Sequence, residues 1–243
     1  GAIFDAISDR LGADFQCYAP DLPGHGSRMA ETPSLDACAE LVRQTVDPLD
    51  QPILVGWSMG AAAAWRYIAR HGTNGLGGLV TVDMSPRMAS GDGWHLGMIG
   101  QSQEDMYETS AKIIPRWPHM VKGIMHNMFS QTDGNAAVEQ ILKSQNPEQL
   151  KPLWDDMTAM DERQTIPKID IPYLVCAGEQ SRLYRSEVAN WIANNAPNAR
   201  GETFQNSGHS PHLEEPDAFC GAIRRFVEAN YVLTRPTDKK ASG

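Results

Sequence analysis

The chain has 243 residues, 41% of them hydrophobic and 21% charged, with a formal net charge of −9 and a pI of about 5.2. That composition excludes a disordered or fibrous chain and fits one large α/β domain carrying an insertion. The acidic balance argues against nucleic acid or an anionic membrane as partner, and no apolar run is long enough to span a bilayer.

Ala2 to Leu11 carries Ile3, Ala6, Ile7 and Leu11 at helical spacing and stops before Gly12. Phe15 to Ala19 reads as a strand. Pro20 to Arg28 is a loop of turn residues. Thr32 followed by Pro33 reads as an N-cap and first helical residue, opening a helix to about Val46. Pro52-Ile53-Leu54-Val55 is a short buried strand, and Ala61 to Arg70 is an alanine-rich helix ending near His71-Gly72. Between them stands Gly56-Trp57-Ser58-Met59-Gly60. Taken alone, this pentapeptide could be a glycine-rich turn with a serine N-cap. Between a strand and a helix it matches the G-x-S-x-G turn that lifts a nucleophilic serine above a sheet. So sharp a turn calls for small residues two before and two after the serine, and Gly56 and Gly60 fit there.

Gly78 to Asp83 is the next buried strand. From Met84 to about Asp170 the alternation breaks, and this stretch holds Trp94, Trp117, Trp154 and nine of the eleven methionines. It reads as a helical cap inserted between two strands, with Ala136 to Ser144 one of its helices. Alternation resumes with strand Ile171 to Ala177, a helix from about Ser186 to Asn195, strand Glu202 to Phe204, the loop Asn206 to His209, and a helix from Pro216 to about Asn230. Thr234 to Gly243 has the composition of a tail. The expected division is a core of 1–83 and 171–233, a cap of 84–170 and a tail of 234–243. The expected class is α/β, a mainly parallel sheet with helices on both faces.

Cys17, Cys38, Cys176 and Cys220 are far apart, without a C-x-x-C. They read as four buried free thiols in a reduced compartment, which suggests a cytoplasmic protein. The histidines and cysteines do not cluster at zinc-ligand spacing, so no metal is expected.

Three separated motifs resemble the α/β-hydrolase superfamily: Asp21-Leu22-Pro23-Gly24-His25-Gly26, Gly56-Trp57-Ser58-Met59-Gly60, and Gly208-His209-Ser210-Pro211-His212-Leu213-Glu214-Glu215-Pro216. Their order and spacing match that fold over nearly the whole chain outside the cap. Val82-Asp83-Met84-Ser85-Pro86 is similar to a segment of the esterase and non-haem haloperoxidase-like branch. The resemblance implies Ser58 as nucleophile and His209, in the loop after the last strand, as its general base. His212 is expected in a supporting or surface position, and His25 as a residue that holds its own loop. Family members usually carry the third residue as an aspartate in a G-x-x-D pattern, but here that pattern reads Gly178-Glu179-Gln180-Ser181. Other members place the acid after the strand following the elbow helix, where Asp83 stands. Asp83 is therefore the expected acid, with Glu179 the alternative; either could fix the base's tautomer and stabilise its charged form. The Met59 N–H would donate to the oxyanion.

A serine in the elbow removes the aspartate-nucleophile chemistries of this fold. It points to a serine hydrolase cleaving a small to medium, largely apolar ester, thioester or lactone through a covalent acyl-enzyme. No cofactor is implied, and the partner is a small-molecule substrate. Two alternatives stand beside this. One uses the same residues for acyl transfer, perhydrolysis, C–C bond hydrolysis or a lyase reaction. The other is a non-catalytic ligand-binding member of the fold. The fold also brings a central strand and a second oxyanion donor before the helix at Ala2, so further N-terminal residues or a separate segment are expected to supply them.

Overall fold

The computed structural model describes residues 2–131 and 135–231. Four strands, β1 (Ile53–Trp57), β2 (Gly78–Val82), β3 (Tyr173–Gly178) and β4 (Ala199–Phe204), form one parallel sheet in that order. Val55 lies opposite Val80, Val80 opposite Leu174, and Leu174 opposite Arg200, so the carboxyl ends of the strands share one edge.

Successive strand residues face opposite sides, which gives the sheet two apolar layers. Leu79, Tyr173, Val175 and Ala177 pack against α2 (Leu35–Val46), α3 (Met59–His71) and α8 (Glu187–Asn195). Val80, Val82, Leu174 and Cys176 pack against α1 (Asp5–Leu11) and α10 (Pro216–Tyr231). The alanine run Ala61 to Ala64 lets α3 lie close to the sheet, and all four side chains are buried. Some of the polar groups that enter this core pair with one another. The Trp65 Nε1 donates to the Tyr173 hydroxyl over 3.0 Å, and that hydroxyl lies 2.7 Å from the Thr81 hydroxyl.

The stretch between β2 and β3 forms α4 (Gln103–Ile113), α5 (Trp117–Met128), α6 (Ala136–Lys143) and α7 (Pro147–Ala159). Polar caps start three of them: Ser102 and Asp105 make a capping box on α4, and Asn135 and Asn146 cap α6 and α7. Met84, Met88, Met106, Met157 and Met160 are buried in the larger core cluster. These methionines serve mainly as packing.

Several local expectations are corrected. Phe15 to Ala19 is not a strand: it joins no ladder, Tyr18 is 53% exposed, and β1 does not pair with it. A strand is held by its neighbour's hydrogen bonds, and no described segment offers them here. Cys17 is consequently exposed, whereas Cys38, Cys176 and Cys220 are buried, and all four are free. The cap of α2 is Ser34, whose Oγ accepts from the Ala37 N–H over 3.0 Å. Pro33 packs instead against Gly24, which has φ of 77° and where a Cβ would come within 2.9 Å of the proline ring. A short helix α9 (Pro211–Glu214) follows the His209 loop, in addition to the expected elements. The expected tail at 234–243 lies outside the described residues.

Tyr173→Phe removes the shared partner of Trp65 and Thr81 and leaves two buried polar groups unpaired. Urea unfolding of this variant is expected to show a loss of about 2–4 kcal/mol with an unchanged m-value.

Candidate active site

The reversal from β1 into α3 falls on one residue, Ser58, with φ 51° and ψ −116°. A non-glycine residue held there carries strain of order 1–3 kcal/mol. The turn is fixed from both sides. The Ser58 N–H donates to the Val82 carbonyl over 3.0 Å, and the Ser58 carbonyl accepts from Ala61 over 2.9 Å. Gly56 is required: a Cβ there would lie 2.5 Å from the Gly60 carbonyl oxygen. Gly60 is not required on steric grounds, because a Cβ there meets nothing within 4 Å among the described residues. Although Ser58 stands at the N-cap position, its side chain makes no capping hydrogen bond. The hydroxyl thus stays outside the helix's bonding, at the positive end of the α3 dipole. Met59 is the first residue of α3, and its N–H has no acceptor within the helix.

Asp83 follows β2 and also has positive φ, 46°. Its N–H donates to the Cys176 carbonyl over 2.8 Å, which pins it against the end of β3. Its side chain is 1% exposed and that of His209 is 4% exposed. The carboxylate has three partners. Oδ2 lies 2.7 Å from His209 Nδ1 and accepts from Ser181 Oγ over 2.6 Å, while Oδ1 accepts from the Gly178 N–H over 3.2 Å. Ser181 is the residue at the family's usual aspartate position, and it reaches across to the carboxylate that stands one strand away. Glu179 is exposed, and its N–H donates to the Phe204 carbonyl.

Trp57 connects Ser58's turn to the histidine loop. Its Nε1 donates to the His209 carbonyl over 2.7 Å, and its ring lies 5.2 Å from that of His209 and 4.7 Å from that of His212. His212 is buried rather than on the surface. It stacks on Phe4 at 4.8 Å, and neither ring nitrogen has a hydrogen-bond partner among the described residues. Burial pushes its pKa down from 6.5 to about 3, with the nearby His209 adding to the shift. His25 holds its own loop, its Nδ1 lying 3.0 Å from the Pro23 carbonyl, as expected. The sequence reading missed the bridging part of Trp57, although the residue sits inside the motif. The replacement of an aspartate by Ser181 was the visible signal that a second group serves the acid.

Among the described residues, no cluster of histidine, cysteine or carboxylate could hold a metal ion, and no helix is long and apolar enough to cross a membrane.

Two consequences are measurable. Unfolding lets His212 take up a proton at its ordinary value, whereas the folded chain resists protonation until about pH 3. Between those limits the unfolded state binds more protons, so stability falls as pH falls, by up to about 1.4 kcal/mol per pH unit. Denaturation of His212→Phe across this range is expected to show a shallower slope than that of the parent chain. Ser181→Ala deprives a buried carboxylate of one donor and is expected to cost about 1.5–3 kcal/mol in the same measurement at neutral pH.

Comparison with known proteins bears on the family and the fold. The model of the Alpha/beta hydrolase family matches residues 1–222. The pimeloyl-[acyl-carrier protein] methyl ester esterase of Vibrio atlanticus is 27% identical over 237 residues, covering 94% of this chain and 90% of that protein. The esterase EaEST from Exiguobacterium antarcticum superposes with a TM-score of 0.84 at 21% identity, over 93% of this chain and 87% of that one. The bromoperoxidase from Bacillus anthracis superposes with a TM-score of 0.77 at 18% identity, over 86% and 80%. With its sheet, its elbow and its family match in agreement, the chain belongs to the alpha/beta hydrolase family.

Proposed function

We propose that the chain is a serine hydrolase that cleaves a small to medium, largely apolar carboxylic ester through Ser58, His209 and Asp83. The observation that carries this reading is the buried pairing of His209 Nδ1 with Asp83 Oδ2, 2.7 Å apart, on a loop whose His209 carbonyl is bonded by Trp57, the residue before a strained Ser58 whose hydroxyl caps nothing.

The steps follow from the proton positions. With Asp83 accepting from His209 Nδ1–H, the opposite ring nitrogen is left unprotonated and can act as base. The Ser58 hydroxyl gives its proton to that nitrogen as Oγ bonds to the ester carbonyl carbon. The carbonyl oxygen becomes an oxyanion, and the Met59 N–H donates to it. The intermediate collapses, the bond to the alcohol oxygen breaks, and His209 returns the proton to the departing alcohol. Water then gives a proton to His209 as its oxygen bonds to the acyl carbon; the bond from that carbon to Ser58 Oγ breaks, His209 passes the proton to Oγ, and the carboxylic acid leaves. One ester and one water yield one acid and one alcohol.

An apolar acyl group is supported by the surroundings of Trp57. Met128, Phe129 and Val138 form a buried cluster there, joined by Ile124, Met125, Leu142 and Leu213. The stretch 84–170, which supplies most of these side chains, then serves as a cap over the site. The methyl ester in the relatives' names marks methyl esters of medium-length acyl chains, free and carrier-bound, as the first substrates to try.

The test combines a chain-length series of esters with single variants. Ser58→Ala and His209→Ala are expected to lower kcat about a million-fold, and Asp83→Asn about ten-thousand-fold. A fluorophosphonate is expected to add one equivalent to Ser58 by mass spectrometry. Full activity in Asp83→Asn together with collapse in Glu179→Gln would move the acid to Glu179, and an active Ser58→Ala would end the reading.

A further inference from the structure

The segment just after α5 touches both loops that carry the acid–base pair. Glu214, at the end of α9, joins it to the histidine loop. Glu214 Oε1 accepts from the Ser130 N–H over 2.6 Å and from the Ser130 Oγ over 2.7 Å. The other oxygen, Oε2, accepts from the Gly208 N–H over 2.7 Å, one residue before His209. Arg182 joins the same segment to the acid loop. Its guanidinium donates to the His126 and Phe129 carbonyls and, over 3.0 Å, to the Ser130 carbonyl. The His126 carbonyl is one that the end of α5 leaves without a partner inside the helix. Arg182 follows Ser181, the residue bonded to the Asp83 carboxylate.

The backbones are also in contact. A Cβ on Gly208 would come 2.7 Å from the Ser130 nitrogen and 2.9 Å from the Phe129 carbonyl carbon. A Cβ on Gly178 would overlap the Gly208 carbonyl oxygen. Three chain segments therefore stack without side chains between them, and a carboxylate and a guanidinium clamp the outermost one.

We propose that Glu214 and Arg182 are positioning residues, which lock the Phe129–Ser130 segment onto the His209 and Ser181 loops so that α5 and the acid–base pair hold one geometry. The inference rests on the reading of His209 and Asp83 given above. The physical requirement is simple. A hydrogen bond to a charged acceptor is short and directional, and a shift of about 1 Å at the reacting groups costs on the order of a hundred-fold in rate. The Gly208 N–H bond to Glu214 sets where the backbone enters His209. Glutamine at 214 keeps the size but presents one donor where two acceptors are needed, so it cannot serve Ser130 and Gly208 together.

The experiment compares Glu214→Gln and Arg182→Lys with the parent chain by three readouts. These are kcat and KM on a short methyl ester, the fraction of Ser58 that reacts with a fluorophosphonate, and the far-downfield proton resonance of the His209–Asp83 hydrogen bond. Glu214→Gln is expected to lower kcat per reactive site by roughly ten- to a hundred-fold, with KM changed less than about two-fold. The resonance is expected to shift or broaden, and Arg182→Lys to move both readouts in the same direction. If folded Glu214→Gln keeps both the parent kcat per reactive site and the parent resonance, the proposal is overturned. If Glu214→Gln does not fold, Ser130→Ala, which removes one of the three donors, is read in the same way. An active Ser58→Ala would defeat the hydrolytic reading while the resonance still decides the positioning role.

Discussion

A carboxylate sealed inside protein must be surrounded by donors or lose its charge. Asp83 meets that demand with a histidine ring nitrogen from one loop and a serine hydroxyl and a backbone N–H from another. The rest of the site can be understood as the means of bringing these together. Asp83 itself stands at the end of β2, Gly178 and Ser181 come from the end of β3 and the loop after it, and His209 comes from the loop after β4. A parallel sheet is suited to this because all its strands end on one edge, so groups remote in sequence become neighbours in space. Weakening any donor leaves part of a charge unbalanced in a place water does not reach, and in the proposed reaction the same atoms would also set the chemistry.

The two apolar layers explain why that edge is rigid. Alternate residues of β2 and β3 are buried on both faces, against α2, α3 and α8 on one side and α1 and α10 on the other. The polar trio in this core, Trp65, Tyr173 and Thr81, is mutually satisfied and lies across neighbouring elements. The strands therefore cannot slide, and the turns at their ends inherit fixed positions. The α5 end is then bonded to those turns rather than merely resting on them.

Much of this was legible in the residues. The elbow was readable because a strand, G-x-S-x-G and a helix follow one another within a few residues, and local sequence fixes local turns. The position of Asp83 was readable from a gap: serine occupies the place where a carboxylate is usual, and another carboxylate ends the neighbouring strand. What could not be read depends on contacts across the fold. Phe15 to Ala19 has strand composition, yet a strand needs a partner, and pairing is not a property of five residues. Thr32-Pro33 has the pattern of a helix start, but the Pro33 ring is taken up by Gly24, and Ser34 takes the cap instead. His212 looked like a peripheral histidine because nothing in its own segment reveals Phe4 stacked upon it. The clamp of Glu214 and Arg182 joins residues more than fifty positions apart to one short segment, which spacing alone does not disclose.

The two backbone positions with positive φ at the ends of β1 and β2 have an evolutionary consequence. Ser58 and Asp83 each sit where glycine would relax the main chain. Glycine would also erase the hydroxyl at one position and the carboxylate at the other. A selection for thermostability alone would thus reward the loss of the very groups the site is built around. Under the proposed hydrolysis both groups are needed, so the strain comes with the chemistry, and a stabilised variant of this chain would have to gain its margin elsewhere.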